Sequence, residues 1–137
     1  MTIISVNLNK INVERKEAPK DKININNNIK LKDLEKMDIS AGTSKQDGIK
    51  FLFELSVNYE PSFASMLIEG DVIYLDTAAN VKSIMDGWKK NKNVKKEVFE
   101  QVMNSAMTKA NIQALILSQI VNIPAPIQLP RINVKKE

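Results

Sequence analysis

Apolar and polar residues alternate along the first third of the chain, which is the pattern of β-strands. The first alternating run extends from Ile4 to Val13 and changes phase at Asn9 and Lys10. One extra residue turns every later side chain to the opposite face of a strand, so the phase change predicts a β-bulge. A second run from Ile23 to Leu31 predicts another strand, and the charged segment between them, Glu14 to Lys22, predicts a connection.

The clearest alternation lies in the middle of the chain. Every second residue from Phe51 to Tyr59 is apolar, and the spacing returns from Met66 to Tyr74, with Gly70 inside the run. The segment from Glu60 to Ser65 separates the two runs and predicts the turn of an antiparallel hairpin. A glycine inside a strand indicates a kink or a close backbone approach. The segment from Ser40 to Gly48 is rich in turn-forming residues and predicts a surface loop.

After Tyr74 the apolar spacing changes from 2 to about 3.6 residues, which predicts a helix. Its apolar stripe consists of Val81, Ile84, Met85 and Trp88, and its N-terminal cap comes from Asp76, Thr77 or Asn80. Gly87 and the polar run from Lys89 to Asn93 predict its end.

A longer helix is predicted from Val94 to Ile120. Its expected buried side consists of Val98, Phe99, Val102, Met103, Ala106, Ala110, Ala114 and Leu117. Further apolar residues near its C-terminal end predict that it contacts something besides its own sheet, such as the tail or another subunit. The tail carries Pro124, Pro126 and Pro130, which stop the helix and favour an extended chain.

These elements predict an α+β fold over residues 1–137 as a single domain. A four-stranded antiparallel sheet occupies the N-terminal two thirds, a short and a long C-terminal helix pack on it, and the tail of residues 121–137 is extended and docked. The 137-residue length suits one domain with its own core.

Composition excludes several kinds of chemistry. The chain has no cysteine and no histidine, so it offers no thiolate nucleophile, imidazole base or Cys- or His-based metal site. Nucleotide-binding and nucleophile motifs are absent as well, and no cofactor is expected. Glu69 and Asp71 are expected to form the solvent face of their strand, and Asp33, Glu35 and Asp38 show no convergence toward a metal or a pocket. We therefore predict a protein that is not an enzyme; lysine or carboxylate catalysis in a deep pocket stays open as a lower alternative.

The net charge is +4, and the basic residues are almost all lysines. A cluster near the predicted helix connection would suit a polyanion, and it consists of Lys89, Lys90, Lys92, Lys95 and Lys96. A solvated corner between helices is the favoured interpretation of the cluster, because no aromatic residue interleaves it as a base-stacking platform would. The chain has neither a transmembrane stretch nor the pattern of a signal peptide, so a soluble cytoplasmic protein without membrane insertion is expected.

The order of elements resembles the SecB-like protein-export chaperones. The resemblance rests on four strands, the last two being KFLFELSVNYE and SMLIEGDVIYL, then a short helix, a long helix and an apolar tail containing VNIPAPIQLP. It implies an antiparallel sheet backed by helices, protomers that assemble into oligomers, and apolar grooves that hold unfolded chains. Members of that family are typically acidic, whereas this chain is basic.

The leading functional hypothesis is a SecB-like chaperone that binds unfolded or nascent polypeptides and forms a homo-oligomer. The predicted peptide-binding or oligomer surface consists of Ile112, Leu115, Ile116, Ile120, Ile123 and Ile127. The alternative is a ribosome-associated protein that contacts RNA through the lysine cluster. Salt separates the two, because phosphate binding weakens steeply with ionic strength and apolar binding does not.

Overall fold

Four strands and two helices form the part of the chain that the computed structural model describes, residues 2–17, 22–41 and 44–127. In chain order they are β1 (Thr2–Arg15), β2 (Asn24–Ala41), β3 (Ser44–Glu60), β4 (Ala64–Asp76), α1 (Ala78–Asn91) and α2 (Lys96–Ile120). The strands make one antiparallel sheet in the order β1-β4-β3-β2. The predicted four-stranded antiparallel sheet followed by a short and a long helix is confirmed.

One side of the sheet is the centre of the core. The alternation along β3 and β4 puts ten residues on this side, each 3% exposed or less: Ile49, Phe51, Phe53, Leu55, Val57, Tyr59, Met66, Ile68, Val72 and Tyr74. Both helices pack against these ten residues. The buried stripe of α1 consists of Val81, Ile84 and Trp88, and that of α2 follows four-residue spacing from Val98 to Ala114. Burial of this large apolar surface is the main source of stability.

The prediction of a surface loop from Ser40 to Gly48 is wrong. β2 continues ten residues past Leu31, and its pairing with β3 extends to Ala41 opposite Ser44. The local turn preferences are overridden because continuous cross-strand hydrogen bonding satisfies the backbone of both strands. Residues 42–43, between the two strands, lie outside the described part of the chain.

Two other predicted segments fall partly outside the described residues. The connection expected from Glu14 begins only at Lys16, because β1 continues to Arg15, and residues 18–21 of that connection are not described. Of the predicted tail, residues 128–137 are likewise outside the described part. α2 begins at Lys96, two residues after the predicted start.

Gly70 allows β1 and β4 to approach closely, as the sequence predicts. A β-carbon on Gly70 would clash with the carbonyl oxygen of Asn7 and would lie 2.9 Å from the ring of Phe53. The predicted bulge in β1 lies next to this contact, between Leu8 and Lys10. It directs Asn9 toward the sheet face away from the helices, where its side chain donates a 2.8 Å hydrogen bond to Asp71.

The expectation that Asp71 forms a solvent face is wrong, since the residue is only 5% exposed. Its carboxylate accepts hydrogen bonds from Asn7 at 3.0 Å and Asn9 at 2.8 Å. These two amides satisfy the carboxylate where β1 covers it. Glu69 pairs instead with Lys32 across the same face, with 2.8 Å between nitrogen and oxygen. Both carboxylates thus have structural partners.

A hydrogen-bonded carboxylate joins β4 to α1. Asp76 is 6% exposed, and it accepts hydrogen bonds from the hydroxyl of Tyr74 (2.7 Å), the backbone N–H of Thr77 (2.7 Å) and the side chain of Asn80 (3.0 Å). Thr77 caps the helix, with its hydroxyl accepting from the backbone N–H of Asn80 at 3.3 Å. Burial alone would raise the pKa of Asp76, but the donors outweigh it and hold that pKa below its ordinary value.

Replacing Asp76 with asparagine is expected to lower the free energy of unfolding at pH 7 by about 2 kcal/mol, since the amide carries no charge and offers one acceptor oxygen in place of two. The pKa of Asp76 is lower in the folded than in the unfolded state. Its contribution is therefore present above the unfolded pKa and disappears as the pH falls through the folded pKa. Urea unfolding at pH 7 and pH 2 should show a smaller pH dependence in D76N than in the wild type. D86N, on the exposed side of α1, is the control, and equal pH dependence in D76N and wild type would contradict the assignment.

Candidate binding groove

A groove of about 680 Å³ opens where the edge strand β2 meets the end of α1 and the beginning of α2. We call it the β2 groove; its lining residues are Ile29, Lys30, Leu31, Lys32, Trp88, Lys92, Asn93, Val94 and Phe99. The apolar members come from all three elements and from the connection between the helices. The surface therefore exists only in the folded chain, because residues more than sixty positions apart form it.

β2 supplies one wall of the groove. Ile29 and Leu31 are partly buried and pack against the edge of the core. In the described part of the chain β2 pairs only with β3, so its other edge carries no strand. A sheet edge of this kind can pair with an extended polypeptide, and the neighbouring apolar surface can hold its side chains.

Trp88 forms the inner wall and is held in a defined orientation. Its indole N–H donates a 3.0 Å hydrogen bond to Asp33, which also accepts from the backbone N–H of Leu34 at 2.8 Å. The hydrogen bonds from Leu34 and Trp88 keep the pKa of Asp33 below its ordinary value. Asp33 is therefore an ionised acceptor that orients the indole, which is not the role of a general acid.

Phe99 is the most exposed aromatic surface of the groove. The sequence places Phe99 on the buried side of α2, but it is 42% exposed. The buried row of α2 follows four-residue spacing from Val98, and Phe99 lies beside that row and lines the groove together with Ile29 and Leu31. Together with Val94 it offers apolar surface that is open to a ligand.

The predicted lysine cluster surrounds the connection between the helices. All five lysines are exposed, and of them only Lys92 lines the β2 groove. Its ammonium group lies 4.9 Å from the centroid of the Trp88 ring, in a cation–π contact that covers one face of the indole. The ammonium nitrogen of Lys96 lies 4.0 Å from a carboxylate oxygen of Glu100, one turn further along α2. The cluster thus forms a solvated rim beside the groove.

The predicted apolar surface divides into two parts. Ile112, Ile116 and Ile120 form an outward stripe on α2 and are 53%, 46% and 67% exposed. Ile112 and Val6 of the edge strand β1 line a common depression, so the stripe reaches the β1 edge. Leu115 is partly buried.

The other two residues of the predicted apolar surface belong to the tail, and Ile123 is part of the core. Ile123 is 7% exposed, and Ile127 is partly buried. The structure therefore does not bring the six predicted residues together on one open surface.

Sequence reasoning did not find the β2 groove. The pattern places Leu31 in an alternating strand and Trp88 in the apolar stripe of a helix, and it shows no convergence of Asp33 toward a pocket. The available signal was the single tryptophan, since Trp88 carries a polar N–H that needs a partner when it is buried. The sequence offers no means of identifying that partner as Asp33, because the hydrogen bond spans 55 residues.

Neither helix in the described ranges is long and apolar enough to cross a membrane. No protein-family model matches the chain, and no curated protein sequence matches it. A search of solved structures finds a similar chain, the Mycobacterium tuberculosis Rv1957 SecB-like chaperone in complex with a ChAD peptide from the Rv1956 HigA1 antitoxin. The TM-score is 0.56 at 10% sequence identity, and the match covers 98% of this chain and 92% of that one. The resemblance inferred from element order is thus confirmed at the level of the fold.

Proposed function

We propose that this protein binds polypeptides without catalysing a reaction, as a chaperone that holds unfolded or nascent chains in the β2 groove. The observation that carries the proposal is the apolar surface of Ile29, Leu31, Val94 and Phe99 beside the edge of β2 that pairs with no described strand. The fold shared with a SecB-like chaperone, whose structure contains a bound peptide, supports the same class of partner.

The physical basis of binding is the burial of apolar client side chains against this surface. Covering 300 Å² of apolar area contributes on the order of 7 kcal/mol before the cost of ordering the client is subtracted. The net affinity is then weak and reversible. Main-chain hydrogen bonds to the β2 edge add affinity that does not depend on client sequence, which suits a protein that must accept varied chains.

A salt series tests the proposed class of partner. Reduced and carboxymethylated ribonuclease A is an unfolded polypeptide, and its binding should change little or strengthen between 50 and 500 mM salt. Single-stranded RNA of mixed sequence should bind weakly at most. If RNA binds more tightly than the unfolded polypeptide and is released as salt rises, the lysine cluster is the working surface and the chaperone proposal is overturned.

The stripe of Ile112, Ile116 and Ile120 is proposed as the contact between copies of the chain. It is apolar and exposed, and Ile112 lines a depression together with Val6 of β1, whose outer edge pairs with no strand of the described residues. A second copy would cover both features at once.

Replacing Ile116 with aspartate is therefore expected to reduce the molar mass measured by light scattering to that of one protomer. M107D is the matched control, because Met107 lies on α2 with similar exposure, 40% against 46%, but outside the stripe. The helix should remain folded in both variants by circular dichroism. A wild type that is already monomeric at high concentration would remove this proposal and leave the groove proposal intact.

A further inference from the structure

The proline-bearing tail returns to the sheet after α2 ends. Asn122 adopts a left-handed conformation with φ 56°, and the backbone N–H of Ile123 donates to the carbonyl of Ser118 at 2.9 Å. This ends the helix and directs Ile123 into the core, where it is 7% exposed. The segment that follows, residues 124–127, then contacts β3 and the edge strand β2.

Two side chains of the sheet hold this segment by its main chain. The hydroxyl of Tyr59 donates to the carbonyl of Pro124, and the side-chain amide of Asn27 donates to the carbonyl of Pro126, both at 2.6 Å. Burial raises the pKa of Tyr59 to about 12, so its hydroxyl remains a donor at neutral pH. Both acceptors are backbone carbonyls two residues apart. Any extended polypeptide could present the same pair of acceptors.

The docking site of the tail adjoins the β2 groove. Asn27, Ile29 and Leu31 alternate along β2 on the side that faces the helices. Asn27 is two residues from Ile29, about 7 Å along a strand. The tail therefore covers the surface onto which an extended chain in the groove would continue.

We propose that residues 123–127 act as an intramolecular competitor on the surface that adjoins the β2 groove, and that an extended apolar client displaces them and takes over the hydrogen bonds from Asn27 and Tyr59. This inference rests on the proposed polypeptide-binding function. It identifies a subsite that binds main-chain carbonyls. It also predicts that client affinity rises as the docking of residues 123–127 becomes weaker.

The test weakens the packing of residues 123–127 without altering the two donor side chains, Asn27 and Tyr59. The variants I123A and I127D remove or charge tail side chains, and reduced, carboxymethylated ribonuclease A is the probe. Each variant should bind the probe about 3- to 10-fold more tightly than the wild type, because less tail must be displaced. Two variants are used so that a folding defect in I123A, detected by circular dichroism, leaves I127D to decide. Unchanged or weaker binding in the folded variants overturns the inference.

A second step tests the donors themselves. In the I127D background, N27A should weaken probe binding about 3- to 10-fold, the range expected for one hydrogen bond. N28A is the matched control, since Asn28 is the next residue of β2 and points to the opposite side. Equal affinities for N27A and N28A would show that the amide does not hold the client.

The outcomes also separate this inference from the proposed function. If wild type binds the probe and F99D does not, but tail variants match wild type, only the competition is wrong. If neither the wild type nor the tail variants bind the probe, both proposals are wrong.

Discussion

Replacing Phe99 with aspartate is expected to weaken the binding of an unfolded polypeptide about 30-fold. The phenyl ring is 42% exposed and lines the β2 groove, so it offers open apolar surface to a client. Losing that contact costs about 2 kcal/mol, and each 1.4 kcal/mol corresponds to a factor of ten in affinity. Equilibrium binding of reduced, carboxymethylated ribonuclease A to wild type and F99D measures the effect.

The fold should tolerate this change. Phe99 is in the first turn of α2 after Lys96, and a carboxylate near a helix N-terminus is favourable. M107D provides the control, because Met107 is 40% exposed on the same helix and is not part of the groove. If F99D and M107D bind the client equally, the groove is not the binding surface.

Replacing Gly70 with alanine is expected to lower the free energy of unfolding by about 3 kcal/mol, a large fraction of the stability of a small domain. The added β-carbon would clash with the backbone carbonyl of Asn7 and press on the ring of Phe53. The clash with backbone can be relieved only by moving β1 away from β4. Urea unfolding of G70A and wild type measures the difference.

The control for this effect is G87A. A β-carbon at Gly87, inside α1, would lie 3.2 Å from the carbonyl oxygen of Asn93, a tight contact that offsets the higher helix propensity of alanine. The net change should stay within about 1 kcal/mol in either direction. A G70A protein as stable as the wild type would mean that β1 does not approach β4 as closely as described.

The sheet and helices could be predicted because their sequence patterns match their surroundings. β3 and β4 lie in the middle of the sheet with one side under the helices, so the alternating runs from Phe51 to Tyr59 and from Met66 to Tyr74 report the buried face. The edge strands are harder to recognise. The second half of β2 carries many polar residues, and local turn preferences between Ser40 and Gly48 conceal a strand that forms through pairing.

The groove could not be predicted because it depends on distant residues. Leu31, Trp88 and Phe99 are unremarkable members of apolar patterns when each element is read alone. The bulge between Leu31 and Asp33 and the hydrogen bond from Trp88 to Asp33 create the inner wall, and neither has a local sequence signature. The same holds for the tail, where the contacts of Asn27 and Tyr59 span 99 and 65 residues.

The emission of Trp88 during titration with an unfolded polypeptide tests the central claim most directly. Trp88 is the only tryptophan of the chain, it lines the groove, and ribonuclease A contains no tryptophan that would interfere. Adding the reduced, carboxymethylated ribonuclease should shift the emission of the wild type in a saturable way, and the shift should be far weaker in F99D. If the polypeptide binds by an independent assay while the emission of Trp88 stays constant, clients bind elsewhere and the account of the groove is wrong.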